Sequence, residues 1–287
     1  MTDRTTRSSR FTLGEWQPVA DRVWRAVAEP DQVTIGLVAG DTGALVVDTG
    51  SSPEQGRAIR AAAEELAGVP VTAVVVTHGH RDHILGLAAF DDVDSVGHES
   101  LADAVHDPDL LADAERLGVP ADAVRAPRRG IAAVAVIDLG GVRVEVVHAG
   151  EGHTAGDVVA YLPDADVVFV GDLIEQGDAP SYGSDSFAAE WPASLDTAIG
   201  LVGDKTVVVP GHGEPLGRIE AITARSEVAA VANEIESLID RGVGADAALA
   251  EGNWPYPVER IRDGVAAEYA RAADRGVRGT RPTLPLA

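Results

Sequence analysis

Cysteine is absent from this chain, and its absence rules out disulfides, thiolate nucleophiles and thiolate metal ligands. Any metal would have to be held by nitrogen and oxygen. Long apolar runs are also missing. The longest are cut by Asp and Gly, and none approaches the roughly 20 residues of a membrane helix. The opening MTDRTTRSSRF is polar and lacks the apolar core of a secretory signal, so the expected location is cytoplasmic. Lys205 is the one lysine, and the formal net charge is −23. So acidic a chain repels phosphate polymers, which argues against a nucleic-acid partner. A small-molecule substrate is expected instead, with no membrane partner; nothing in the sequence speaks to oligomeric state.

What is present is a globular composition: 287 residues, 45% of them apolar, enough to bury a full core. Alternating and continuous apolar runs predict strands over 23–28, 33–38 and 44–47, with Gly40-Asp41-Thr42-Gly43 as a turn. Ser52 and Pro53 open a helix that runs to about Ala67 and is stopped by Gly68-Val69-Pro70. The run 71–76 reads as a strand buried on both faces. Residues 99–118 read as helix broken near Pro108, and further strands are expected over 133–138, 142–147, 157–162 and 166–170. Helix 187–202 and strand 206–209 follow. From 217 onward the apolar spacing is helical, as in Ile219, Ile222, Val228, Val231, Ile235 and Ile239. The order β-block, helices, β-block, helices predicts an α/β fold: a four-layer αββα sandwich of two mixed β-sheets flanked by helices, with a helical C-terminal extension. The expected division is 1–216 for the sandwich and 217–287 for the extension.

Strand 71–76 empties into His78-Gly79-His80-Arg81-Asp82-His83, three imidazoles and one carboxylate within six residues. A loop at the end of a firm strand is a suitable mount for ligands. His78 and His80 alternate along extended backbone, while Asp82 and His83 turn onto the next helix, so one segment addresses two neighbouring points. His153, Asp172 and His212 lie at the ends of later strands, each beside glycine, and a solvated histidine needs no such setting. Asp172 follows His153 by 19 residues and precedes His212 by 40. His98, His106 and His148 lack that setting and are read as structural, as are Trp191 and Trp254. The loop 176–191 is a candidate pocket wall, with Tyr182 as a hydrogen-bond donor to a substrate carbonyl.

The pattern His-X-His-X-Asp-His followed by distant His, Asp and His resembles the metallo-β-lactamase fold, whose members include glyoxalase II and lactonases. The resemblance spans about residues 20–215. It implies that His78, His80 and His153 hold a first metal, that Asp82, His83 and His212 hold a second, and that Asp172 bridges them. It also implies that Asp48-Thr49-Gly50 supports the site from behind. All-N/O ligation suits two Zn ions, with Fe or Mn as alternatives. The implied activity is hydrolysis by a metal-bridging hydroxide of a small ester, thioester, lactone or amide, with Asp82 and Asp172 as catalytic carboxylates. Two alternatives are a mononuclear-iron oxidoreductase resembling the persulfide dioxygenases, and a β-lactamase or phosphodiesterase. Zinc β-lactamases with a cysteine ligand are excluded by composition. Glu175 stands where many of them have a carboxylate-binding lysine.

Overall fold

The structure, a computed structural model, describes residues 11–177 and 179–276; the polar N-terminal segment read above lies outside them except for Phe11. The first half of the chain contains β1 (Thr12–Leu13), β2 (Gln17–Ala20), β3 (Val23–Glu29), β4 (Val33–Ala39), β5 (Ala44–Val47), α1 (Pro53–Ala67), β6 (Val71–Val75), α2 (Arg81–Ile84), β7 (Asp94–His98), α3 (Leu101–Ala104), α4 (Pro108–Leu117) and β8 (Arg129–Ile131). The second contains β9 (Val134–Asp138), β10 (Arg143–His148), β11 (Val158–Leu162), β12 (Val167–Glu175), α5 (Trp191–Gly200), β13 (Val207–His212), α6 (Arg218–Asp240), α7 (Ala245–Glu251) and α8 (Val258–Asp274).

The strands run as one ladder, β8-β7-β6-β5-β4-β13-β12-β11-β10-β9, with β3 on the other edge of β4 and β1 and β2 on β3. Strands β5 to β8 pair in parallel, as do β12 and β13, and the rest are antiparallel. The two halves meet at a single register pair, His212 with Val33. That narrow join lets the ladder double over into two mixed sheets.

Side chains decide which face goes where. On β5, Ala44 and Val46 point to a core shared with Ile59 and Ala63 of α1, while Leu45 and Val47 point to a second core shared with Phe169 and Val209 of the other half. On β12, Val167 and Phe169 enter that middle core, and Val168 and Val170 enter a third one with α5, α6 and α8. This is the two-residue period of a strand buried on both faces. Three cores stacked in this way make the expected αββα order. Gly36 is where the sheets press closest, since a Cβ there would come within 2.6 Å of the Phe169 ring.

Helix α1 begins as expected: the Ser52 side chain accepts from Gln55 N–H, Pro53 occupies the first turn, and Gly68 closes it at φ 69°. Helix α5 starts at Trp191, four residues later than the sequence suggests. Strand β12 runs on through Gly171 and Asp172 to Glu175, so Asp172 sits inside a strand at an irregularity of register rather than after its end. No described helix is long and apolar enough to cross a membrane.

Candidate metal centre

The segment after β6 carries its histidines in two directions. His83 and Ile84 donate N–H to the His80 carbonyl, which starts α2 and swings Asp82 and His83 away from His78 and His80. Behind them lies Asp48, a non-glycine residue at φ 63° at the end of β5. Its buried carboxylate accepts from Thr77 N–H at 2.8 Å, from the Thr77 hydroxyl at 2.9 Å and from His83 Nδ1 at 2.8 Å. With Nδ1 committed to Asp48, the His83 ring presents Nε2 to the centre.

Two ligand-type groups result. In the first, His78, His80, His153 and Asp172 offer one atom each within 4.8 Å of one another; in the second, Asp82, His83 and His212 do the same. Asp172 stands between them. Its Oδ1 is 3.3 Å from His83 Nε2, and its Oδ2 is 3.4 Å from His212 Nε2, 3.5 Å from His153 Nε2 and 3.7 Å from His78 Nε2. The carboxylate fits there because position 211 is glycine: a Cβ would fall 1.8 Å from Asp172 Oδ1.

The donor set fits a divalent cation. In the first group each ring has one nitrogen engaged outward: His78 Nδ1 on the Thr77 hydroxyl, His80 Nε2 on Asp185, and His153 Nδ1 donating to the Ser181 carbonyl. The other nitrogens converge, His80 Nδ1 lying 3.2 Å from His78 Nε2 and 2.9 Å from His153 Nε2. Lone pairs so close repel unless a cation or proton lies between them. His83 Nε2 and Asp172 Oδ1 are buried with no hydrogen-bond partner, the usual sign of groups reserved for a ligand. Burial holds His78 well below the ordinary imidazole range and His153 down to about 4, the neutral form that metal ligation requires. In the second group burial also opposes protonation, yet Asp172 and Asp48 hold His83 well above its usual range, and Asp172 carries His212 up to about 10. The carboxylates therefore draw positive charge, and a divalent ion answers the same field.

The profile of the metallo-beta-lactamase superfamily matches residues 28–212. The chain belongs to this superfamily. It is similar to a metallo-beta-lactamase type 2 from Bacillus cereus, at 27% identity over 146 residues, 50% of this chain and 52% of that protein. It is also similar to an acyl-coenzyme A thioesterase from Homo sapiens, at 31% identity over 212 residues, 65% of this chain and 75% of that protein. A metallo-beta-lactamase structure from Pontibacter korlensis superposes at a TM-score of 0.62 with 25% identity, covering 76% of this chain and 99% of that one. The chain spans about half the length of the first curated relatives it matches, 52% in each case.

Every ligand-type residue singled out in the sequence of this superfamily member reaches the centre. Tyr182 does not. Its ring is buried in the third core, 4.7 Å from the Trp191 ring and against Gly264, and it does not line the cavity over the centre. The Tyr182 ring turns into the space between Trp191 and Gly264, while its neighbours Ser181 and Gly183 face the cavity. From the same loop Ser181 and Asp185 contact the histidines, and the sequence signal for them was only their place after Asp172. Glu175 accepts Ser181 N–H at 2.6 Å, and burial together with nearby Asp172 pushes its carboxyl up to about 7. His98 and His148 stack on each other with ring centroids 3.9 Å apart, while His106 lines the rim of the cavity. Trp191 is fully buried, its indole N–H donating to the Leu173 carbonyl, and its ring lies 5.4 Å from that of His153.

Proposed function

We propose that this superfamily member is a metal-dependent hydrolase acting on a small ester, thioester, lactone or amide. The observation that carries the reading is the Asp172 carboxylate standing between two His/Asp groups on the floor of a cavity of about 930 Å³. His78, His80, His153 and Asp172 would hold one ion, and Asp82, His83 and His212 the other, with Asp172 shared. Bound divalent ions supply Lewis acidity and water acidified to near neutral pH, about 7. The chain's own residues do the rest. Burial of His78, His83 and His153 keeps bulk water from the floor of the site. Asp82, whose Oδ2 lies 3.3 Å from His212 Nε2, is held ionised by His83 and His212 against the pull of burial, the form in which it would serve an ion. Asp82 and His212 of one group and His80, His153 and Asp172 of the other all line the cavity, so a substrate carbonyl entering there meets both groups at once.

The similarity to an acyl-coenzyme A thioesterase supports a thioester among the candidate substrates. Zinc suits the all-N/O donor set, with iron or manganese as substitutes. The test is metal quantification followed by a panel of thioester, lactone, phosphodiester and β-lactam substrates. Two divalent ions per chain with turnover of a carbonyl substrate are expected. A chain that binds no metal and gains no activity when metal is added would overturn the reading, and one iron with oxygen-dependent turnover would replace it with an oxidative one.

A further inference from the structure

The loop between β12 and α5 touches the first ligand group at four points. Asp185 Oδ2 lies 3.0 Å from His80 Nε2, and the Ser181 carbonyl accepts from His153 Nδ1 at 3.1 Å. The Ser186 hydroxyl donates to the His153 carbonyl at 2.9 Å, and Phe187 N–H to the Gly152 carbonyl at 2.7 Å. At its β12 end the loop also donates Gln176 N–H to the His212 carbonyl at 2.9 Å, a backbone bond that continues the β12–β13 pairing, but among the described residues it does not touch the His212 ring, Asp82 or His83. Whatever fixes this loop therefore fixes how two of the three first-group imidazoles point.

That support comes from far along the chain. Arg260 on α8 donates to the Ala179 carbonyl at 2.6 Å, and its own carbonyl accepts from Tyr182 N–H. One turn on, Gly264 lets α8 lie against Tyr182, since a Cβ there would fall 2.8 Å from the Tyr182 Cβ. Two turns further, Arg271 donates to the Ser186 carbonyl at 2.5 Å while its guanidinium stacks 4.1 Å over the Phe187 ring. Arg271 is itself held, because the buried Glu268 carboxylate takes Arg271 at 3.0 Å and Arg275 at 2.7 Å. Residues 260, 264 and 271 are spaced by four and seven, which puts them on one face of a helix.

The geometry points to α8 as a positioning element for the first ligand group alone: Arg260 sets the Ser181 side that orients His153, and Arg271 sets the Asp185 side that orients His80. This rests on the metal-centre reading above. Partners that orient ligands from behind are worth about 10- to 100-fold in metal affinity. Because the second group is oriented by Asp48 and Thr77 from within the first sheet, the effect should be confined to one of two binding steps.

The experiment is a calorimetric titration of the metal-free full-length chain with zinc. His80→Ala and His83→Ala label the two steps, each removing its own. Arg260→Gln and Arg271→Gln are each expected to weaken the step lost in His80→Ala by about 10- to 100-fold and to leave the other within about twofold. Asp185→Asn, which leaves α8 untouched, is expected to reproduce the Arg271→Gln result. Circular dichroism checks that each variant folds, and if one arginine variant does not, the other two variants still decide. Equal losses in both steps, or no loss in either, would overturn the positioning role while leaving the metal centre standing. A wild-type chain that takes up no zinc would overturn the metal-centre reading and this one with it.

Discussion

His80 and His83 stand three residues apart, yet they are held by opposite ends of the chain. His83 is fully buried, and its outward nitrogen meets Asp48, whose carboxylate also takes the backbone and hydroxyl of Thr77. Asp48 and Thr77 follow the ends of the adjacent parallel strands β5 and β6, and they hold His83 at the start of α2, so this member of the second group is fixed from the sheet. His80 is partly exposed, and its outward nitrogen meets Asp185, 105 residues away on a surface loop. That loop in turn depends on α8. One group is thus built into a core and the other is assembled by docking a loop and a helix. Loop-borne support opens locally more easily than a packed sheet, so the first group is the adjustable one.

The largest change to this contrast should come from removing what the groups share. Asp172→Ala is expected to lower metal content at both groups and to cut turnover by more than the about 100-fold expected of a supporting residue. Metal analysis beside steady-state kinetics measures it, and retention of either ion at wild-type affinity would count against Asp172 as the common carboxylate. Next comes Asp48→Ala, which frees the His83 ring and leaves Thr77 N–H buried without an acceptor. Affinity at the second group should fall by about 100-fold, and at the first by less, because Asp48 reaches His78 only through the Thr77 hydroxyl. A zinc titration of that variant, set beside those of the α8 variants, shows whether the two groups respond in opposite order.

Trp191→Ala should act on the first side through packing. Deleting a fully buried indole costs about 3–5 kcal/mol, read by chemical denaturation. It also removes the ring next to His153, so loss of zinc affinity should appear in the first step only.

The smallest expected effect concerns pH. Asp157 accepts from Thr154 N–H and the Thr154 hydroxyl inside the turn that carries His153, and burial pushes its carboxyl up to about 7. A carboxyl raised above its unfolded value favours the folded state while protonated. The stability it contributes is complete below about pH 4 and is lost as pH rises through about 7. Denaturation of the metal-free Asp157→Asn variant should therefore give a flatter stability profile between those pH values than wild type, and an unchanged slope would rule out this source.

Much of the molecule could be read locally because its signals are local. A run such as 71–76 is apolar on both faces wherever it sits, and Ser52 with Pro53 can cap only a helix that follows. Strands β7 and β8 were invisible for the opposite reason. Asp94–His98 carries Asp, Ser, Gly and His and becomes a strand only because β6 offers it a parallel edge. The extension of β12 through Gly171 and Asp172 has the same origin, since its partner β13 runs on to His212.

The centre divides in the same way. In the sequence alone the cluster of His78, His80, Asp82 and His83 after an apolar strand, and the glycines beside His153, Asp172 and His212, mark these seven as ligand-type residues. Orientation is not a property of the residue but of whatever holds its other nitrogen. Asp48 stands 35 residues before His83, Asp185 lies 105 after His80, and the α8 arginines are further still. Tyr182 faces the core because a tryptophan from α5 and a glycine from α8 make a site for its ring there. The sequence by itself determined the donor chemistry and the order of strand and helix blocks that could carry it. Only the tertiary structure decided which partners aim those donors, because aiming depends on contacts between segments that no local pattern brings together.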